Sequence, residues 1–119
     1  MKKKILFVCY MNIDRSPTAE YIYSQRPEFE VQSAGVSPYA QKPISAELVE
    51  WSDIILCMQG SHVVFIKKNF AEFIHDKIID SLDVYDAYDY MDPPLVEILT
   101  KKVDDWLREH LQVLAKKHM

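Results

Sequence analysis

Cys9 and Arg15 are the two residues of this chain whose chemistry and spacing are most informative. The apolar run at residues 5–9 predicts a buried strand that ends at the cysteine, and five residues then separate it from the arginine. Ser16 and Pro17 follow at once and predict a helix start, with Ser16 as the N-cap and Pro17 in the first position. The backbone N–H groups of this loop can surround one anion at the positive end of the helix. Such a loop can bind a phosphate dianion and attack it with sulfur.

The predicted chemistry is a phosphoryl transfer to Cys9. The loop N–H groups, the helix end and Arg15 all favour the thiolate, which attacks phosphorus in line and forms a cysteinyl-phosphate that water hydrolyses. Arg15 holds two equatorial oxygens through its planar fork, and the backbone amides stabilise the transition state. This reaction needs no metal and no other cofactor. The histidines lack ligand spacing among themselves, and we expect all four at the surface: His62, His75, His110 and His118.

The bulk composition indicates an ordinary globular protein. A length of 119 residues predicts a single domain over residues 1–119, and the chain is 49% hydrophobic and 27% charged. The net charge of −4 argues against a nucleic-acid partner, which would need a basic face. No stretch approaches the roughly 20 apolar residues that cross a bilayer, so no membrane partner is predicted. The chain has two cysteines without zinc-ligand spacing, which favours a cytoplasmic location and a free Cys9.

Apolar runs alternate with helical patterns along the chain. The runs predict four strands, at residues 5–9, 29–34, 53–58 and 77–82. The helical patterns lie at residues 18–25, 46–51, 61–69 and 93 to about 116, with Ser45 and Asp92 as caps of the second and fourth. The last helix has apolar residues at helical spacing: Leu95, Val96, Leu99, Val103, Trp106, Leu107, Leu111 and Leu114.

The strands are apolar on both faces and are separated by helices. This pattern predicts an α/β fold, a three-layer sandwich with a four-stranded parallel sheet and the phosphate loop between the first strand and the first helix. Ligands of such sheets bind at the carboxyl ends of the strands. Cys9 ends the first strand, so the fold and the chemistry predict the same site.

Three segments of the chain resemble the low-molecular-weight protein tyrosine phosphatases. The signature of this family is similar to Val8-Cys9-x-x-Asn12-Ile13-x-Arg15-Ser16-Pro17-x-Ala19-Glu20. Its second conserved patch resembles Ser33-Ala34-Gly35, and its third strand resembles residues 53–58. A short bacterial and archaeal branch of predicted tyrosine phosphatases is further similar to Tyr90-Met91-Asp92-Pro93 with Leu95-Val96-Glu97. The resemblance spans most of the chain and weakens between residues 37 and 52.

This resemblance implies a metal-independent protein tyrosine phosphatase, a phosphoric monoester hydrolase that acts on a phosphotyrosine protein or a small aryl phosphate. It implies that Cys9 is the nucleophile and Arg15 the phosphate clamp. The residues implied to bind the substrate are Tyr10, Met11, Asn12, Ile13, Asp14, Ser16, Ser33 and Tyr39. The oligomeric state is left open.

Several of these residues have a more specific implied role. Asn12 shapes the loop, because asparagine tolerates a left-handed backbone. Ser16 donates a hydrogen bond to the Cys9 thiolate, and Ser33 holds Asn12. Tyr39 falls where an aromatic wall for the substrate ring is expected. Ile13 matches the position at which a bulky aliphatic residue accompanies phosphotyrosine and a smaller threonine accompanies phosphoarginine.

A general acid must protonate the leaving group, and an aspartate is the usual choice. The segment before the last helix contains five candidates: Asp80, Asp83, Asp86, Asp89 and Asp92. Asp92-Pro93 matches the family's dipeptide, but a helix cap explains that pair. Asp86 has the better spacing, with Tyr88 two residues later, although Ala87 replaces the expected proline. We therefore favour Asp86 over Asp92.

Two loop residues depart from the family pattern, and other functions stay open. Met11 stands where glycine is usual, and Asp14 stands where a second, protective cysteine is common. Cys57 is expected as a buried core residue, although a Cys9–Cys57 disulfide is conceivable. Three further functions are a non-catalytic phosphate- or phosphopeptide-binding module, a phosphocarrier domain and an arsenate reductase. The last of these would need more cysteines for a disulfide relay.

Overall fold

The structure, a computed structural model, describes residues 2–117 and the side chains of residues 2–110. Its strands are all parallel and form one sheet in the order β2-β1-β3-β4: β1 (Lys3–Cys9), β2 (Phe29–Gly35), β3 (Ile54–Cys57) and β4 (Ile78–Ser81). The helices are α1 (Arg15–Ser24), α2 (Ala46–Trp51), α3 (Gly60–Asn69) and α4 (Pro93–Lys117), with a 3₁₀ turn at Ala71–Phe73. The predicted α/β fold with a four-stranded parallel sheet is confirmed.

The sheet is covered on both faces because its central strand is apolar on both. Side chains of Ile5, Phe7 and Cys9 join a core that includes residues of α1 and α4. Leu6 and Val8 point the other way, into a core that includes residues of α2 and α3. Successive side chains of a strand alternate between faces, so this one apolar run supplies both cores. The three-layer arrangement follows from it.

Helices α1 and α4 are joined by polar contacts as well as by the core. The Tyr23 hydroxyl donates to Asp104 Oδ1 at 2.8 Å, and Arg26 Nη2 lies 2.7 Å from the same oxygen. Burial, and then the hydrogen bond to Asp104, raise the pKa of Tyr23 well above its usual value of 10.0. The hydroxyl therefore stays a donor at all ordinary pH values, and it holds the two helices in one register.

The start of α1 differs from the prediction. The helix begins at Arg15, Asp14 is its N-cap, and Pro17 occupies the third position rather than the first. The prediction that Ser16 caps this helix is wrong, because Ser16 is the second residue of the helix and its hydroxyl oxygen lies 2.9 Å from the sulfur of Cys9. At the start of α4, by contrast, the Val96 N–H donates to the Asp92 carbonyl at 3.0 Å.

Some predicted positions lie outside the described part of the chain. The side chains of Leu111 and Leu114 lie beyond residue 110, and His118 lies beyond residue 117. No helix among residues 2–117 combines the length and the apolar character needed to cross a membrane.

Candidate active site

The sulfur of Cys9 lies at the carboxyl end of β1 with two polar groups on it. The backbone N–H of Asn12 donates to Sγ at 3.2 Å, and the Ser16 hydroxyl oxygen lies 2.9 Å from Sγ. The hydroxyl also lies 3.4 Å from the Ala34 carbonyl, a longer contact. The buried sulfur therefore has one backbone donor, the Asn12 N–H, and a neighbouring hydroxyl that can act as a second polar partner.

Asn12 connects this sulfur to the neighbouring elements. Its backbone is left-handed, with φ of 58°, a conformation that asparagine adopts more readily than most residues. Its Nδ2 donates to Ser16 Oγ and to Ser33 Oγ, both at 2.9 Å. Ser33 in turn donates to Glu20 Oε1 at 2.6 Å. The sequence pattern assigns no role to Glu20, although this residue closes the signature-like run.

Carbonyl groups on the outer side of the loop accept hydrogen bonds from a neighbouring segment. Those of residues 9–11 accept N–H groups of the segment after β2, from Val36, Ser37 and Gln41, each at 3.0 Å. In a trans peptide the C=O of one residue and the N–H of the next point in opposite directions. The N–H groups that follow these carbonyls therefore face inward, as the contact of Asn12 with the sulfur illustrates. This arrangement can serve as an anion cradle, because its negative dipole ends are paired elsewhere.

The close approach of this segment depends on Gly35, the last residue of β2. A Cβ on Gly35 would lie 2.5 Å from the Tyr10 carbonyl oxygen and 2.6 Å from the Ala40 Cβ. Both distances are shorter than van der Waals contact, so any other residue would push the loop away. The sequence pattern marks this glycine as the end of a strand and does not reveal its part in the cradle.

Arg15 is almost fully buried, with 2% of its side chain exposed, and its guanidinium has defined partners. Nη1 donates to Gln59 Oε1 at 2.7 Å and to the Val84 carbonyl at 2.9 Å, which uses both of its hydrogens. Within residues 2–110, no group accepts a hydrogen bond from Nε or Nη2. These two nitrogens form the edge that can hold two oxygens of one phosphate. No pattern in the sequence marks Gln59 or Val84 as part of this site.

The two candidate acids are placed differently. Asp86 Oδ1 lies 3.8 Å from Arg15 Nε, and 66% of the Asp86 side chain is exposed. Asp92 lies at the start of α4 and is absent from the described contacts of Arg15. The structure therefore brings Asp86, and not Asp92, to the guanidinium.

The remaining predicted substrate residues differ in exposure. Tyr10 and Ile13, in the loop, and Tyr39, in the segment after β2, are exposed, Tyr39 to 85%. Met11 does not need the backbone freedom of glycine, because the left-handed residue of the loop is its neighbour Asn12. The Asp14 side chain makes no capping hydrogen bond to α1 and is half-buried.

His62 is buried, so the prediction of a surface position is wrong for this histidine. Its Nδ1 accepts the backbone N–H of Gln59 at 3.2 Å and must therefore be unprotonated. Burial, and then the Arg15 charge, lower the pKa of His62 from 6.5 to about 4, while Asp86 opposes the shift. The imidazole is neutral at neutral pH and adds no positive charge to the site.

The two cysteines lie on opposite faces of the sheet. Cys57 pairs with Val8 across β1 and β3, and its side chain belongs to the core on the α2–α3 side. The side chain of Cys9 belongs to the core on the α1–α4 side. Side chains that point apart cannot form a disulfide without backbone movement, so the structure argues against a Cys9–Cys57 bond. Burial, with a smaller effect of Asp80, raises the pKa of the Cys57 thiol well above its usual value.

Comparisons with known proteins give two curated relatives and many similar folds. The chain is 30% identical to the protein-arginine-phosphatase of Bacillus subtilis, over 94% of each chain. It is 32% identical to the low-molecular-weight protein-tyrosine-phosphatase Ptp of Acinetobacter johnsonii, over 57% of this chain and 65% of that relative, just under two thirds of its length. Wzb of Vibrio vulnificus, solved with benzylphosphonate, has the same fold, with a TM-score of 0.72 and 20% identity over 92% of this chain and 99% of that one. No family model matches the chain.

The Gly35 contacts predict the effect of adding a methyl group. We expect Gly35→Ala to lower the free energy of unfolding by about 1–3 kcal/mol and to weaken the binding of inorganic phosphate, because the Cβ displaces the loop. Gly60→Ala is the matched control, since a Cβ there would meet nothing within 4 Å beyond its chain neighbours and its own helix backbone. Denaturant titration and phosphate titration measure both effects. Equal stability of the two variants would contradict the proposed crowding.

The lowered pKa of His62 predicts that the free energy of unfolding decreases at acid pH. The unfolded chain binds a proton at this histidine more readily than the folded chain, so stability falls as pH decreases from 6.5 toward 4. The slope from this residue is at most about 1.4 kcal/mol per pH unit. His62→Gln keeps a hydrogen-bond acceptor without a titrating group. In urea denaturation, this variant should show a weaker dependence of the free energy of unfolding on pH in this range. The exposed His75→Gln is the control, and an unchanged slope in His62→Gln would refute the assignment.

Proposed function

The chain belongs to the low-molecular-weight protein tyrosine phosphatase family, and from this premise we propose that it is a metal-independent protein tyrosine phosphatase. The proposed substrate is a phosphotyrosine protein or a similar aryl phosphate. The observation that carries the proposal is the sulfur of Cys9, which has the Asn12 N–H and the Ser16 hydroxyl within hydrogen-bonding distance. A structural core cysteine would need neither. A reducing compartment such as the cytoplasm would keep this thiol reactive.

In the first step the Cys9 thiolate attacks phosphorus. The S–P bond forms while the ester P–O bond breaks, and the aryl oxygen departs on the opposite side with a proton from Asp86. The Nε and Nη2 edge of Arg15 holds two of the equatorial oxygens. The inward N–H groups of the loop stabilise the charge on the transferring group.

In the second step water hydrolyses the cysteinyl-phosphate. The Asp86 carboxylate, left without its proton, accepts a proton from the attacking water. The P–S bond breaks, inorganic phosphate leaves, and the Cys9 thiolate is restored. The exposed position of Asp86 supports this role, because the aspartate can exchange protons with solvent between turnovers.

Two aspects of the substrate are part of the proposal. Ile13 is an exposed residue of the loop, and by the family resemblance a bulky aliphatic residue there accompanies phosphotyrosine. The Bacillus subtilis relative is a protein-arginine-phosphatase, which makes phosphoarginine the second candidate. The ratio of kcat/KM for phosphotyrosine and phosphoarginine peptides separates the two.

Arsenate reduction, phosphate binding without turnover and phosphate carriage have weaker support. An arsenate reductase needs a thiol relay, and Cys57, the only other cysteine, points to the opposite face of the sheet from Cys9. A non-catalytic module would bind phosphate without turnover. A phosphocarrier would accumulate a stable phosphocysteine, whereas Asp86 beside Arg15 supports rapid hydrolysis.

The nucleophile assignment predicts loss of turnover in Cys9→Ser. The serine hydroxyl is far less acidic than a thiol, so p-nitrophenyl phosphate hydrolysis should fall to background. Inorganic phosphate should still bind, because the backbone cradle and Arg15 remain. Cys57→Ser is the matched control and should retain turnover. Full activity of Cys9→Ser would refute the proposed mechanism.

The acid assignment predicts different effects in Asp86→Asn and Asp92→Asn. General acid catalysis contributes about 100-fold to 10,000-fold, so Asp86→Asn should lower kcat by an amount in this range. The loss should be larger for phenyl phosphate than for p-nitrophenyl phosphate, whose leaving group needs less protonation. Asp92→Asn should change kcat little. Loss of turnover only in Asp92→Asn would reverse the assignment.

A further inference from the structure

We infer that Gln59 is a positioning residue that holds Arg15 in the orientation required for phosphate. Gln59 is the N-cap of α3 and lies just after the buried end of β3. Its side-chain oxygen accepts a hydrogen bond from Arg15 Nη1 at 2.7 Å. The inference rests on the proposed phosphatase function, and it adds a residue that touches Arg15 rather than the substrate.

The first support is the way in which the guanidinium is fixed. One hydrogen of Nη1 goes to Gln59, and the other goes to the Val84 carbonyl at 2.9 Å. The N–H of Val84 donates to the Met58 carbonyl at 2.8 Å, so this second acceptor is itself held. Two fixed acceptors on one nitrogen define the plane of the guanidinium. The opposite edge, Nε and Nη2, is thereby directed away from Gln59 and Val84.

The second support is that Gln59 is itself held in place. Its backbone N–H donates to Nδ1 of the buried His62 at 3.2 Å. A neutral imidazole at the third position of a helix accepts the N-cap N–H as glutamate does in a capping box. The Gln59 backbone therefore cannot rotate freely, and its amide oxygen stays within reach of Arg15.

The third support is the absence of charge on Gln59. A carboxylate at the same place would also hold Nη1, but it would neutralise Arg15 and repel phosphate. Among residues 2–110, the carboxylate within ion-pair distance of Arg15 is Asp86, which is exposed and 3.8 Å away, and exposed pairs are weak. The neutral amide thus orients Arg15 and leaves its charge for the anion.

The test compares Gln59→Leu, which removes the acceptor, with Gln59→Glu, which restores it with a charge. Ser61→Ala is the matched control, because Ser61 is exposed at the start of the same helix. Direct titration measures the affinity for inorganic phosphate. Steady-state kinetics with p-nitrophenyl phosphate give kcat and KM, and urea denaturation gives the stability. Titration of phosphate needs no turnover, so it tests Gln59 even if the wild type is not catalytic.

We expect Gln59→Leu to weaken phosphate binding and to lower kcat/KM at least about tenfold, the usual loss for a hydrogen bond to a charged group. Gln59→Glu should be as stable as the wild type and still bind phosphate at least about tenfold more weakly, a separation that a purely structural role would not produce. Phosphate binding in Gln59→Leu within twofold of Ser61→Ala would overturn the inference, as would wild-type affinity in Gln59→Glu. A wild type that binds phosphate without turnover would overturn the proposed function alone, and one that binds no phosphate would overturn both.

Discussion

The bridge made by the Asn12 side chain is the interaction on which the rest of the site depends. One amide group donates to a serine of α1 and to a serine of β2, at 2.9 Å each. The bridge holds the Ser16 hydroxyl next to the sulfur of Cys9, and it holds Ser33 where its hydroxyl donates to Glu20. A side chain with a single donor hydrogen could not satisfy both serines. The backbone N–H of the same left-handed residue donates to the sulfur, so side chain and main chain serve the same purpose.

The burial of Arg15 sets the second constraint. A guanidinium with 2% exposure must have its donors satisfied, because an unpaired buried charge is strongly destabilising. The protein satisfies one nitrogen with neutral oxygens, from Gln59 after β3 and from the segment after β4. The other edge, Nε and Nη2, is the part of the guanidinium that can hold an anion.

The sequence is sufficient to predict the fold and the loop, because their signals are local. Continuous apolar runs identify strands such as β1, and the cysteine at its end locates the loop. The capping role predicted for Ser16 is wrong because a hydroxyl near a helix start has two plausible partners, and only the folded chain shows that the sulfur is the one used. The burial of His62 escapes prediction because it depends on the packing of α3 and on the Gln59 N–H. Gln59 and Val84 lie 44 and 69 residues from Arg15, and no local pattern predicts contacts at such separations.

The long-range contact between Arg15 and Val84 also has a consequence for folding. The loop and α1 are synthesised early, but the carbonyl that fixes the guanidinium lies 69 residues later, and Asp104, which joins α1 to α4, lies 81 residues after Tyr23. Contacts of such large sequence separation carry a high loop-closure entropy and slow the folding of a domain. The Val84 carbonyl cannot hold the guanidinium until the chain has been synthesised at least as far as this residue, well after the loop and α1.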